Sequence, residues 1–536
     1  MNVDFNGVHS SGDMPSMPYF HNLGTMFSWV AQKNSDRPVL ILPNKTLTFK
    51  ELSSLHIQIA SRLVDIGLKR GDRVAIVSSK GSLTFGLMLA CLRLGIAYIN
   101  LDSLAPIERN ISIIKASGAL RVFVEDSEES KFFGILASGI QTLVLTLDND
   151  FVGAHDDFQV SQIDTESRVD GATIAYIMFT SGSTGVPKGV AISHQSVLHF
   201  IAWIQTRFKI SVEDRFTGLN PLHFDNSVFD FFGSIFLGAS LAPVRREKIE
   251  KPGELLGELE SLGCTIWFSV PSLLIYLNAV KAISPYHLRN FRLIVFGGEG
   301  FPKSELKKLQ LLAPAATKLI NVYGPTECTC MCSSYEVQLS DFADLNGLPP
   351  LGEINQNIDY MILDDLGETS KLGELYLIGD NVALGYINDP ERTAIAFTTI
   401  KTPDRFGKRM YRTGDIVDLR DGTLRFAGRK DNQIKHLGYR IELEEIEFAL
   451  SAEASVIQSA AIYVRTNTDF GRIIAFVSTS SNSLTEHQIL EDIRKRLPGY
   501  MVPSRIFVLP NLPKNQNGKV DRLALSRSFS TGVFDS

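Results

Sequence analysis

The chain has 536 residues, 44% of them apolar, enough for roughly three to four domain-sized units with substantial cores. With 53 Lys and Arg against 59 Asp and Glu its formal charge is −6, so no basic face for nucleic acid is implied. The N-terminus lacks a basic start followed by an apolar core, no apolar run is long enough to span a bilayer, and five cysteines argue against a disulfide framework. The expectation is a cytoplasmic, reducing setting without membrane contact.

From about Asn22, helical stretches (Lys50 to Ile66, Leu83 to Leu94, Pro106 to Ala116) alternate with short apolar strands (Arg73 to Val77, Ala97 to Asn100, Leu120 to Val124, Thr142 to Thr146). That is the rhythm of sheets covered by helices. Between the apolar runs Ala175 to Phe179 and Val190 to Ile192 lies TSGSTGVPKG, Thr180 to Gly189. Gly182, Gly185 and Gly189 permit a tight turn with inward N–H groups, Ser181, Ser183 and Thr184 add hydroxyl donors, and Lys188 supplies a cation. The loop is suited to phosphate, although taken alone it equally describes a surface turn. Its spacing departs from G-x-x-x-x-G-K-[ST], which disfavours a P-loop NTPase.

A second α/β series runs from Phe200 to Val322, with strands at Thr265 to Val270, Leu293 to Phe296 and Thr317 to Val322. Cys328, Cys330 and Cys332 form C-x-C-x-C without the paired spacing of a zinc site, and are expected to share one face of a strand and line a pocket. After Pro350, short alternating strands with Gly and Asp turns suggest a small β-rich unit: Asp359 to Leu363, Gly373 to Gly379, Asp415 to Leu419 and Thr423 to Ala427. Composition shifts at GRKDNQIKHLGYR, residues 428 to 440, and the remainder suggests a compact α+β unit. The division is therefore 1–430 and 431–536, with Asp431 at the boundary.

Four further segments accompany the loop in order: NVYGPTECT from Asn321, YRTGDIV from Tyr411, GRKDNQIKHLGYRIELEEIE from Gly428 and NQNGKVDR from Asn515. Together they resemble the ordered motifs of the adenylate-forming superfamily, which includes acyl- and aryl-CoA synthetases, luciferases and adenylation domains of nonribosomal peptide synthetases. The resemblance spans nearly the whole chain. It implies an α/β fold: a large N-terminal domain of layered α/β subdomains with a small β-rich subdomain, and a small mobile α+β C-terminal domain.

The resemblance also implies roles. ATP and Mg2+ would be the cofactors, with Thr180 to Gly185 and Lys188 on the phosphates, Tyr323 stacked on adenine, Asn321 bonded to it and Gly324 beside it. Thr326 would touch phosphate and Glu327 hold magnesium, for which a carboxylate is a suitable hard ligand. Asp415 would accept from the ribose hydroxyls with Arg429 assisting. Lys519 would bridge the α-phosphate and the substrate carboxylate, Asp431 would be the hinge, and the Gly438 region would enter the site for thioester formation.

Asp225, in HFDNSVFDFF, stands where amino-acid-activating members carry the partner of the substrate ammonium; the competing reading is a helix cap. The remaining pocket residues implied are Asn226, Phe229, Phe268, Val295, Gly297, Val322, Cys330 and Met331. None is charged, so a neutral amino acid, small or branched aliphatic, is expected. Asn226 and Met331 add bulk that would shorten the pocket toward alanine or glycine; the alternative is that Asn226 hydrogen-bonds a polar substrate group. With no carrier domain following Arg522, a free-standing ligase loading a separate phosphopantetheinylated carrier protein is expected. The alternatives are an acyl- or aryl-CoA ligase, which has no need of Asp225, and a non-catalytic nucleotide binder, in which Lys188, Glu327 or Lys519 would be lost.

Overall fold

The computed structural model describes residues 19–77, 80–125, 143–152, 168–182, 185–401, 407–464, 471–480, 484–515 and 520–534. Ser183, Thr184 and Lys519, and the Thr142 start of one expected strand, lie outside the described residues.

Two large sheets make up most of the chain. In the first, Arg73–Val77 lies between Ala97–Leu101 and Arg121–Glu125, all parallel, with Leu143–Leu147 parallel beyond. Ile174–Thr180 joins parallel to Ala97–Leu101 and pairs antiparallel with Lys188–Ser193, so the glycine- and hydroxyl-rich sequence connects two antiparallel strands. In the second sheet Ile266–Ser269, Leu293–Gly297 and Lys318–Tyr323 run parallel, and Ser333–Glu336 pairs antiparallel with the last.

Helices fill the space between these sheets. Ser82–Leu94 is buried continuously from Thr84 to Leu94, which accounts for its nearly unbroken apolar sequence: a helix covered on all sides has no polar face to keep. Asn226–Ile235, buried from Ser227 onward, fills the same layer. Its Phe231 and Phe232 rings lie 5.9 Å from Phe85 and 6.3 Å from Tyr176. Tyr176 and Met178 of one sheet and Phe268 and Val322 of the other thus share one core. The carboxyl ends of Ile174–Thr180, Ile266–Ser269 and Lys318–Tyr323 all open on one cavity, the usual ligand position for parallel strands.

The β-rich unit contains Ile358–Leu363, Leu372–Gly379, Gly407–Arg420, Phe397–Lys401 and Thr423–Arg429. Gly407–Arg420 is much longer than the expected Asp415 to Leu419, because its inward residues, Tyr411, Thr413, Asp415 and Val417, include two polar ones that conceal the alternation. The unit is also less separate than expected. Glu353–Ile354 pairs with Ser333–Glu336 of the second sheet, and Gly385–Tyr386 pairs with Lys188–Ser193 of the first.

The C-terminal part begins with the hairpin Gln433–His436 and Tyr439–Glu442, continues as helix Leu443–Ser451, and forms a sheet of Val456–Val464, Arg472–Thr479 and Arg505–Leu509. Helix Glu486–Arg496, started by a capping box at Thr485, connects the parallel pair of that sheet. Ile441, Ile446, Leu450, Ala475 and Ile506 belong to a core of its own. Among the described residues no helix is long and apolar enough to cross a membrane.

Ile446 is fully buried, and Ile446→Ala should destabilise this C-terminal part by roughly 2–5 kcal/mol. Amide exchange should then accelerate across residues 441–506 while that of helix Ser82–Leu94 is unchanged.

Candidate active site

The cavity at the strand ends is closed on one side by the C-terminal part. The Ser181 hydroxyl donates to the Arg440 carbonyl at 2.7 Å and accepts from the Glu442 amide at 3.1 Å. The Gly182 amide donates to Glu445 Oε2 at 3.1 Å, and Lys188 Nζ lies 3.3 Å from Glu442 Oε1. Gly185, at φ +76°, packs directly against the Phe448 ring. The Thr180 hydroxyl lines the cavity without a partner among the described residues. Burial and the nearby Arg440 lower the Lys188 pKa, while Glu327 and Glu442 hold it up; the net direction is down.

Glu327 has no solvent exposure. Its Oε1 accepts from the Tyr386 hydroxyl at 2.8 Å, and its Oε2 from Arg440 Nη1 at 2.5 Å. Burial alone would raise its pKa, but Arg440 and Lys188 outweigh it and bring the value down to about 2. Because the folded pKa is depressed below the ordinary 4.5, the charge stabilises this arrangement above about that pH and the contribution is lost as pH falls toward about 2.

Thr326, one residue earlier, donates to Asp225 Oδ2 at 2.6 Å. Asp225 does precede helix Asn226–Ile235, yet its carboxylate makes no capping bond and its backbone is itself helical at φ −63°, ψ −24°, so the helix-cap reading fails. Among the described residues it has no ion-pair partner, and burial raises its pKa against the pull of Thr326 and Arg440.

On the opposite side, the Tyr323 hydroxyl donates to Asp415 Oδ2 at 2.6 Å, and Arg429 Nη1 donates to Asp415 Oδ1 at 2.7 Å. Arg429 also forms a bidentate pair with Asp431 at 2.6 Å, tying the expected hinge residue to Asp415. Asn321 donates one Nδ2 hydrogen to the Pro350 carbonyl, which fixes the orientation of its side chain beside the cavity. Asn321, Tyr323, Arg429 and Asp431 line a cavity of about 320 Å3 beside Gly300.

Not every residue expected around the small molecule lines the cavity. Asn226, Phe268, Val322, Cys330 and Met331 line the cavity, with Gly324 near its mouth, but Phe229, Val295 and Gly297 do not. Phe229 packs behind Phe268 at 5.2 Å, Val295 is fully enclosed in the core, and Gly297 lies against the Val322 carbonyl. Gly298, which the sequence reading passed over, takes the place of Gly297. The cysteines are not on a strand: Cys328 ends a short 3-10 turn, and Thr329 and Cys330 adopt φ of 61° and 73°. Cys330 lines the cavity, whereas Cys328 and Cys332 enter a separate core with Leu375 and Leu377.

Residues 27–387 match the family described as AMP-binding enzyme, and residues 445–519 match the AMP-binding enzyme C-terminal domain. The chain belongs to the AMP-binding enzymes. It is 30% identical over 511 residues to an L-proline:L-prolyl-carrier protein ligase of Streptomyces coelicolor, covering 91% of this chain and 93% of that one. A ligase of the same name from Pseudomonas fluorescens is 31% identical over 492 residues, covering 90% and 94%. Surfactin synthase subunit 2 of Bacillus subtilis is 31% identical over 513 residues, 95% of this chain, but the chain spans 14% of that protein's length. In fold, the chain is similar to the Vibrio cholerae adenylation domain AlmE, solved with glycyl-adenosine-5'-phosphate, at TM-score 0.82 and 24% identity, covering 98% and 100%.

In this AMP-binding enzyme Arg440, Glu442 and Glu445, to which the sequence assigns no role, all lie inside the segment from Gly428 to Glu447. Gly438 is at the cleft: its amide donates to Glu299 Oε2 at 2.9 Å. Its φ is +80°, and a Cβ there would come within 2.2 Å of Val270. Gly438→Ala should therefore expel the hairpin Gln433–Glu442 from the cleft, and amide exchange of residues 433–442 should rise sharply with the core strands unaffected.

Proposed function

We propose that the chain uses ATP to activate a neutral amino acid, small or branched aliphatic, as aminoacyl-AMP and then passes the aminoacyl group to the phosphopantetheine thiol of a separate carrier protein. The observation that carries this reading is Asp225: a buried carboxylate at the small-molecule end of the cavity, hydrogen-bonded by Thr326 and without an ion-pair partner among the described residues, its pKa raised by burial against the pull of the more distant Arg440 and Lys435. A buried carboxylate without a partner costs several kcal/mol, which a substrate ammonium would offset. An acyl or aryl acid brings no such cation. The prolyl-carrier ligases that resemble this chain along most of its length support the same reaction class.

In the first half-reaction a carboxylate oxygen attacks the α-phosphorus and the bond to the bridging oxygen of the leaving pyrophosphate breaks. Donors of the Thr180 to Gly185 loop and Lys188 hold the departing phosphates, and Lys519 neutralises the charge between carboxylate and α-phosphate. Tyr323 and Asn321 bind the base, and Asp415 with Arg429 binds the ribose. Glu327, together with the Thr326 hydroxyl, offers hard oxygen donors that fit magnesium once Arg440 has withdrawn, and such an ion would offset phosphate charge.

In the second half-reaction a thiol sulfur attacks the acyl carbon and AMP leaves with the bonding pair. Supporting this, a second cavity of about 390 Å3 runs past Val270, Tyr276, Leu437 and Gly438 and shares Asp225 and Asn226 with the first. The hairpin carrying Gly438 faces the cleft, whereas Val520 and Arg522, on the C-terminal side of Lys519, pack within the C-terminal part. Rotation at Asp431 would exchange the two faces.

ATP–pyrophosphate exchange should depend on a neutral, small or branched amino acid, and exchange with no amino acid in a full screen would refute the reading. Asp225→Ala should raise the amino acid KM at least tenfold with a smaller effect on the KM for ATP. Lys519→Ala should lower exchange by roughly 100-fold or more, as loss of a transition-state donor does.

A further inference from the structure

We infer that Lys80, Asn220 and Asp230 are positioning residues for the amino acid: beneath the small-molecule end of the cavity they fix the segment leading to Asp225, and the helix that follows it, against the strand that carries Phe268. The inference rests on the proposed function and deepens it, since the reaction proposed needs Asp225 held in one place. None of the three touches the reacting groups.

The connection runs through helix Asn226–Ile235. Asp225 stands at its start and Asp230 five residues further on, about 140° around the helix axis, so the two carboxylates leave the helix on different sides. Asp225 lines the large cavity, whereas Asp230, 3% exposed, lines a separate one of about 10 Å3 together with Lys80 and Asn220. Asn220 Nδ2 donates to Asp230 Oδ2 at 2.8 Å and to the Phe268 carbonyl at 3.0 Å. Both hydrogens of one amide thus join the helix to strand Ile266–Ser269. Only Pro221 to Phe224 separate Asn220 from Asp225.

Lys80 secures the other end of the segment. Its Nζ donates to the carbonyls of Gly218 at 2.8 Å, Leu219 at 3.2 Å and Val244 at 2.9 Å, one for each ammonium hydrogen. Gly218 and Leu219 follow strand Arg215–Phe216, and Val244 follows its parallel neighbour Ser240–Leu241, so a residue arriving from the first sheet gathers two strand ends of the second. In doing so Lys80 adopts φ +65°, a left-handed backbone uncommon outside glycine and kept where the surroundings demand it. Burial raises the Asp230 pKa and lowers that of Lys80, and each charge opposes the other's shift. Apolar residues of similar volume would hold a core as firmly as a buried charge pair. What the charges and the amide add is a fixed geometry, and the residues they fix are Gly218 to Asp225 and Phe268.

The test is ATP–pyrophosphate exchange by the full chain with the amino acid that supports it, which reads the first half-reaction alone and so leaves out the place of Asn220 on the second cavity. Asn220→Ala and Asp230→Asn should each raise the amino acid KM about fivefold or more, with the KM for ATP and kcat changed by less than about twofold. Either single variant decides the question if the other does not fold. Combined, they should raise the amino acid KM by much less than the product of the single effects, because both act on one connection; a full product overturns the inference. Without substrates, amide exchange in both variants should accelerate over residues 218–228 and stay unchanged in strand Arg121–Glu125. An amino acid KM that does not move, or a KM for ATP that rises as much, overturns the inference while the proposed function stands. If no amino acid supports exchange by the unaltered protein, the proposed function fails; faster amide exchange confined to residues 218–228 then still upholds the fixing of Asp225, and unchanged amide exchange overturns it.

Discussion

A full negative charge sealed from water must have a cation beside it, and Glu327 is such a charge. With zero exposure its carboxylate is held by Arg440 and Tyr386, within the field of Lys188. Stripping one partner from a buried pair costs several kcal/mol, so the site tolerates replacement of the cation but not its absence. Each of these groups comes from a different part of the fold. Lys188 opens a strand of the first sheet, Glu327 follows a strand of the second, Tyr386 enters from the segment after Gly379, and Arg440 belongs to the C-terminal hairpin.

That convergence explains why the cleft lies where it does. Parallel strands of two sheets, joined by helices buried on every side, bring Thr180, Phe268 and Tyr323 to a common opening. Around that opening the polar groups fall into two sets. Asp225 and Thr326 form one; Tyr323, Asp415 and Arg429 form the other. Arg429 joins the second set to Asp431, so the start of the C-terminal part is anchored to the same carboxylate that faces the cavity.

Much of this was legible in the sequence. Strand Arg73–Val77 and the helix ending at Leu94 lie where periodicity places them, because apolar alternation and helical spacing report burial directly. Strand Gly407–Arg420 was underestimated because Thr413 and Asp415 point inward as polar residues. Cys328 to Cys332 were misassigned to a strand because two left-handed residues leave no mark on a period-two pattern. At the pocket, Phe229, Val295 and Gly297 come from resemblance alone; Phe229 packs on Phe268, and Val295 and Gly297 pair along the sheet with Phe268 and Val322, which line the cavity. Arg440 lay in plain view within a quoted motif. Its partner, however, is 113 residues away, and a charge contact at that separation has no sequence signature.

The account turns on a C-terminal part that meets the cavity through Arg440 at Glu327 and that, in the reaction proposed, must move to bring Lys519 to it. It is tested most directly by measuring the distance between spin labels on the two parts, at Leu311 and Ile457, which are 75% and 66% exposed; all five native cysteines are buried. Without ligand the distance distribution should be that of the docked arrangement, and saturating magnesium ATP with the amino acid that supports exchange should replace it with a second, distinct population. A distribution that stays unchanged at saturation would mean that the C-terminal part does not move for adenylation, and would contradict the account.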